Sequence, residues 1–199
     1  MILLRHGGRH ADRGLEVLML KRGADAKFMP GVWVFAGGVV DPEDRDAAGS
    51  PPDGLDHDEW AHMICGAREL VEEGGVSVEA AGLRAWSRWI TPLPVPKRFD
   101  TRFYVARAPA HARPEPDLVE MDEVRWIGPA EALRAAEADE LDISFPTIRN
   151  LEELVEFPDA DAVLAAAEQR TVEPILPKVV GDRDSFEVLL PGQPGYPED

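Results

Sequence analysis

The stretch Arg68-Glu69-Leu70-Val71-Glu72-Glu73-Gly74-Gly75-Val76 constrains this chain more than any other. It sets three carboxylates and an arginine within six consecutive positions and then stops on a glycine pair. On an α-helix Glu69 lies one turn before Glu72 and Glu73, so the three carboxylates share a side, and Arg68 stands four residues before Glu72, close enough to clamp it. Such oxygen donors suit Mg²⁺, a small hard cation that keeps several waters and is shared between a few carboxylates and the phosphates of a substrate. The same run would also suit an exposed helix laced with ion pairs. Context favours the site: the apolar segment Val32-Trp33-Val34-Phe35 leads into Gly37-Gly38, and Gly74 or Gly75 ends the helix as a C-cap.

The pattern resembles the Nudix box, which reads Gly, five residues, Glu, seven residues, then Arg-Glu-apolar-x-Glu-Glu-x-Gly-apolar. The second half is matched at every defined position. The first half departs: Arg68 lies 30 positions after Gly38, about twice the family interval. An insertion at about 44–58 accounts for this, with Asp46, Gly49, Pro51, Pro52, Asp53 and Gly54 giving loop composition. Counting from Gly38 puts the first glutamate of the signature at Asp44, with Glu43 and Asp41 as the other acidic residues that could replace it. Ala36 stands where the family usually has proline.

The resemblance implies an α/β (α+β) fold, a Nudix-type α/β/α sandwich with a central mixed β-sheet, and Mg²⁺-dependent cleavage of a pyrophosphate bond in a nucleoside diphosphate linked to another moiety, with Mn²⁺ as a substitute cation. By position it assigns metal binding to Glu69, Glu72, Glu73 and the Gly37 carbonyl, and to Arg68 the orienting of a glutamate. The general base is Glu69 or Glu120, the latter in the acidic stretch Glu115-Pro116-Asp117-Leu118-Val119-Glu120, where a solvated strand edge is the plainer reading.

Alternation over Arg98-Phe99-Asp100-Thr101-Arg102-Phe103-Tyr104 puts Phe99, Thr101 and Phe103 on a core face and Arg98, Asp100, Arg102 and Tyr104 on the other. Arg98 and Arg102 could grip phosphates by forked hydrogen bonds, or pair with Asp100 and surface acids. Together with Trp89-Ile90-Thr91-Pro92 and the insertion, this run resembles the Nudix branch with an enlarged box that includes peroxisomal coenzyme A diphosphatases. Coenzyme A and acyl-coenzyme A are therefore the first candidate substrates, ahead of ADP-ribose, NADH and nucleotide sugars. A nucleotide-binding sensor with a Nudix fold is the non-enzymatic alternative; retention of Arg68 and all three glutamates argues for catalysis.

At 199 residues with 44% hydrophobic content and five tryptophans, the chain reads as one domain over 1–190 with a flexible tail at 191–199. No apolar run reaches the roughly 20 residues of a membrane span, and no secretory signal pattern opens the chain, so a cytoplasmic protein is expected. Net charge of −17 repels nucleic acid and anionic membranes, which leaves a small phosphate ester, with a homodimer as the other partnership considered. The single cysteine, Cys65, reads as a small buried hydrophobe. Leu4-Arg5-His6-Gly7 mimics the opening of histidine phosphatases, but His57, His62 and His111 lie in no matching context, and His6 and His10 are expected at a strand end and a loop.

The expected elements are a strand at Leu15–Leu20, a short strand at Val32–Phe35, and a helix starting at Asp56 or Asp58 whose core stripe is Trp60, Ile64, Ala67 and Val71. Strands follow at Leu83–Ile90, Phe99–Ala106 and Val119–Ile127, then helices from about Pro129, Pro146 and Asp159. Strand-like pieces occupy Ile175–Pro191.

Overall fold

A computed structural model describes residues 1–7, 14–93, 97–181 and 186–197. Strands β1 (Ile2–His6), β2 (Leu15–Arg22) and β3 (Trp33–Val34) precede helices α1 (Pro42–Ala47) and α2 (His57–Gly74). Strands β4 (Arg84–Ile90), β5 (Asp100–Arg107) and β6 (Met121–Ile127) follow, then helices α3 (Pro129–Glu137), α4 (Phe145–Leu154) and α5 (Ala160–Gln169). Short strands β7 (Pro174–Ile175), β8 (Lys178–Gly181) and β9 (Phe186–Leu189) come last.

Seven strands form one mixed sheet in the order β3-β2-β1-β5-β4-β7, with β6 also paired to β2. The β1–β5 and β4–β7 pairs are parallel and the others antiparallel. Strands β8 and β9 make a separate hairpin. Both faces of the sheet are covered. Ile2, Leu4, Val17, Met19, Phe103 and Val105 pack on Leu151, Leu154 and Val163 of the later helices, whereas Leu3, Leu18, Leu20 and Tyr104 pack on Met63 and Leu70 of α2. This is the expected α/β/α sandwich. Burial on two faces also explains why β2 is a continuous apolar run rather than an alternating one.

Two details differ from the sequence reading. Val71 is 46% exposed, and the buried positions of α2 are Ala61, Met63, Cys65, Leu70, Glu73 and Gly74. Leu70 and Val71 are adjacent apolar residues, only one of which can face the sheet; choosing Leu70 rotates the helix so that Glu73 turns inward. Tyr104, assigned to a polar face, is buried because α2 covers that side, and Thr101 is exposed near the strand start.

The insertion is also more ordered at its start than loop composition suggests. Asp41 begins α1 with a capping box shared with Asp44, and Pro42 occupies the first turn, where its missing N–H costs nothing. Helix α2 is capped at Asp56, whose carboxylate accepts from the Glu59 N–H. It ends at Gly75, which adopts φ 67°, a left-handed conformation that favours glycine. His6 closes β1; His10 lies outside the described residues. Near the last described residues the Tyr196 hydroxyl donates to the Leu176 carbonyl, between β7 and β8, at 2.8 Å.

Candidate active site

Arg68 is the hub of the site. Its Nε and Nη2 donate to the two carboxylate oxygens of Asp44 at 3.0 and 2.9 Å, while Nη1 lies 2.8 Å from both Glu69 Oε1 and Glu72 Oε2. Nη2 also reaches the Val39 carbonyl at 3.3 Å. One planar guanidinium therefore ties the glycine-pair loop, the inserted helix and two carboxylates of α2 into a fixed arrangement, which only a forked five-donor group can do.

Asp44 is only 2% exposed. The Arg68 guanidinium, aided by the Asp41 N–H, holds its carboxyl well below the usual range and outweighs the opposing effect of burial. Of the three acidic residues open at the first signature position, Asp44 is thus the one in forked contact with Arg68, whereas Asp41 Oδ2 stands 3.5 Å from that guanidinium. Glu43 makes no such contact among the described residues. Cys65 is buried beside this pair, and burial pushes its thiol up to about 12, which makes it inert.

Glu73 points to the other wall. Its Oε2 accepts from the Gly37 N–H at 2.8 Å. Burial raises its pKa to about 7, with the charge of Glu69 adding to the rise and the Gly37 N–H opposing it. Glu69 is raised too, chiefly by burial, with Glu72 and Glu120 contributing repulsion against the pull of Arg68. Its carboxyl lies so close to Gly38 that a Cβ there would stand 2.2 Å from Oε1. Glycine is favoured at position 38 because the Glu69 carboxylate occupies the space a side chain would take.

Among the described residues no three acidic side chains close around a single point as a ready-made cage. Glu69 and Glu72 lean on Arg68, and Glu73 on Gly37. The donor set nevertheless fits a hard divalent cation: all are oxygens, and two are carboxyls raised chiefly by burial, with repulsion from other carboxylates adding to the rise.

Glu120 stands across from α2, at the start of β6. Asp117 builds the turn before it, its carboxylate accepting from the N–H groups of Val119, Glu120 and Met121. Leu118 takes φ 57° to make that turn. The Glu120 carbonyl accepts from Gly23 N–H at 2.8 Å and its carboxylate lies 4.0 Å from Arg22. The sequence showed Asp117 only as part of an acidic stretch and Arg22 only as a partial echo of a coenzyme A hydrolase signature, and neither was connected with holding Glu120; an aspartate heading a short loop before a strand was the available signal for the first.

The two arginines of the β5 segment are placed differently. Arg102 donates to Glu59 Oε2 at 2.6 Å and Asp58 Oδ2 at 2.7 Å, and Tyr104 adds a 2.8 Å bond to Glu59 Oε1. Arg98, ahead of the strand, uses Nε on the Thr91 carbonyl and is exposed. Asp100 pairs with Arg88 rather than with either of them.

Residues 2–148 match the model of the NUDIX domain. The chain is 31% identical to a protein named putative nudix hydrolase 7 of Caenorhabditis elegans, over 73% of this chain but 58% of that one, so it spans little more than half of that relative. It is 24% identical to the acyl-coenzyme A diphosphatase NUDT19 of Homo sapiens, covering 94% of this chain and 73% of the human protein. Among solved structures, a NUDIX hydrolase from Alicyclobacillus acidocaldarius superimposes with a TM-score of 0.73 at 26% identity, over 87% of this chain and 95% of that one. With the box glutamates, their arginine and the glycine pair assembled on this sandwich, the chain belongs to the Nudix family of hydrolases.

Proposed function

We propose that the protein is a Mg²⁺-dependent pyrophosphohydrolase of a nucleoside diphosphate linked to a second moiety, with coenzyme A or acyl-coenzyme A as the substrate to test first. The observation that carries this reading is the grip of one guanidinium, Arg68, on Asp44, Glu69 and Glu72, opposite a buried Glu73 tied to Gly37. Such a frame has no evident purpose in a merely structural helix, since it holds raised-pKa carboxyls together at a cost in repulsion. The substrate suggestion draws on the name of the human relative and on the enlarged box.

Glu69, Glu72, Glu73 and the Gly37 carbonyl would hold Mg²⁺ or Mn²⁺. When bound, the cation supplies charge compensation on the pyrophosphate and acidifies water. Arg68 keeps Glu69 and Glu72 oriented. A water attacks one phosphorus, its proton passes to a carboxylate, and the bridging P–O bond breaks, so that coenzyme A would yield 3′,5′-ADP and phosphopantetheine. Glu69, oriented by Arg68, is the first candidate for the base; Glu120, in the turn built by Asp117 and near Arg22, is the second. Arg98 is the better placed phosphate ligand, since Arg102 is already engaged by Asp58 and Glu59.

A hydrolysis screen with Mg²⁺ over coenzyme A, acyl-coenzyme A, ADP-ribose, NADH, diadenosine polyphosphates and nucleoside triphosphates, with products identified by mass, tests the proposal. Coenzyme A cleavage at a higher kcat/KM than ADP-ribose supports it in full, and preference for another member keeps the reaction and discards the substrate. No turnover with Mg²⁺ or Mn²⁺ moves the reading to a nucleotide-binding sensor. Glu72→Gln should reduce turnover by at least ~10²-fold, and unchanged turnover would rule out this site.

A further inference from the structure

Two aromatic rings, Phe28 and Phe99, touch each other without belonging to either core cluster. Phe28, in the β2–β3 connection, is 45% exposed. Its ring centroid is 5.7 Å from that of Phe99 at an interplanar angle of 58°. The Lys97 ammonium lies over both, 5.5 Å from Phe28 and 5.0 Å from Phe99.

Both rings hang on fixed backbone. The Phe28 carbonyl accepts from Arg22 Nε at 2.9 Å, and the Phe99 N–H donates to Thr91 Oγ1 at 3.0 Å. Arg22 is also the residue 4.0 Å from Glu120, and its positive charge acts on Glu73. The Arg22 side chain thus links the backbone that carries Phe28 to the Glu120 side of the carboxylate site. The strand directions agree: β2 and β1 are antiparallel and β1 and β5 parallel, so the chain after β2 and the chain before β5 emerge at the same end of the sheet.

Charge complementarity indicates what would come here. In a chain of net charge −17, Lys97 lies over an exposed and a half-buried ring, Arg98 precedes Phe99 in the chain, and Arg22 holds the Phe28 carbonyl. Aliphatic ligands have no use for the cations, and inorganic phosphate has none for the rings. A planar heteroaromatic ring that carries phosphates uses both.

We propose that Phe28 and Phe99 form the platform on which the nucleobase of the substrate stacks, and that Lys97, displaced from the ring faces by the base, pairs with a phosphate. The proposal deepens the pyrophosphohydrolase reading and rests on it, since that reading supplies the phosphates.

The test is calorimetric titration of the full chain with Mg²⁺, using ADP and inorganic pyrophosphate as probes, on the native protein and on Phe28→Ala, Phe28→Leu and Phe28→Trp. Stacking predicts that ADP binds more tightly than pyrophosphate, that Phe28→Ala and Phe28→Leu weaken ADP roughly tenfold or more, that both leave pyrophosphate unchanged, and that Phe28→Trp retains ADP. Lys97→Gln should weaken ADP less, by roughly threefold. Equal ADP affinity in the native protein and Phe28→Ala overturns the platform while leaving the carboxylate site standing. Full ADP affinity in Phe28→Leu overturns it as well, because it would mean that any apolar surface serves. If the native protein binds neither probe, both the platform and the site reading fall. Thermal melts of each variant identify any that are unfolded, and the Trp and Leu variants, which keep the bulk of the side chain, then decide the question.

Discussion

Arg68 and Asp44, 24 residues apart, are joined by two parallel hydrogen bonds of 3.0 and 2.9 Å. This pair ties the inserted segment to the box helix, and it predicts an asymmetry among neighbouring acids. Asp44→Ala should lower kcat about 10–100-fold and cost about 1–3 kcal/mol of stability, because a partly buried guanidinium loses its forked partner. Glu43→Ala should leave both within error. Steady-state kinetics and denaturant melts on the two variants check this, and equal effects would show that Asp44 has no special place.

Gly38→Ala should separate activity from stability. The added Cβ would meet Glu69 Oε1 at 2.2 Å, but that atom is the far end of a flexible side chain, which can turn aside at little cost. We expect kcat to fall at least ~10-fold with the melting temperature near that of the native protein. A large loss of stability would mean that the loop itself, rather than the carboxylate, had given way.

The acid pair gives a pH dependence. Glu73 is raised from its ordinary value of 4.5 to about 7 in the folded chain. Folded protein thus binds more protons than unfolded between these values, and the stability from the protonated carboxyl, full below about pH 4.5, is lost as pH rises through about 7. A cation that binds the ionised form reverses the loss and releases a proton. Millimolar Mg²⁺ should therefore raise the melting temperature more at about pH 8 than at about pH 6. Asp44 runs the opposite way: its pKa is depressed, so its contribution is present above the ordinary carboxylate value and lost only as pH falls through the lower folded one. An Mg²⁺ effect independent of pH would remove Glu73 from the ligand set.

The two arginines ahead of and within β5 should part company. Arg102→Gln leaves Glu59 and Asp58 facing each other beside a buried Tyr104, and is expected to cost about 1–3 kcal/mol of stability. Arg98→Gln should leave stability unchanged and raise KM for the preferred substrate several-fold. Melts and kinetics on both variants distinguish these roles, and the reverse pattern would transfer the phosphate role to Arg102.

How much of this was legible in the sequence follows from range. The box helix and its Gly75 stop are local, written in adjacent residues, and were readable. So were β4, β5 and the later helices, whose caps and prolines mark their starts. Counting from Gly38 pointed to Asp44 but left Glu43 and Asp41 open, because three acids in four positions look alike until a distant arginine selects one. The orientation of α2 turned on a choice between Leu70 and Val71 that only packing makes. Arg102 looked like a phosphate ligand because its partners Asp58 and Glu59 belong to another element, and the Phe28–Phe99 contact crosses most of the fold.

The inserted segment is held at its base on both sides. Asp44 fastens α1 to the middle of α2 through Arg68, and Arg45 fastens it to the start of α2 through Asp58 at 2.9 Å. Everything between is a closed bight whose length enters the free energy only logarithmically. Insertions around Gly49–Asp53 should therefore leave the box helix in place, which makes that bight a splice point for a reporter or an affinity tag.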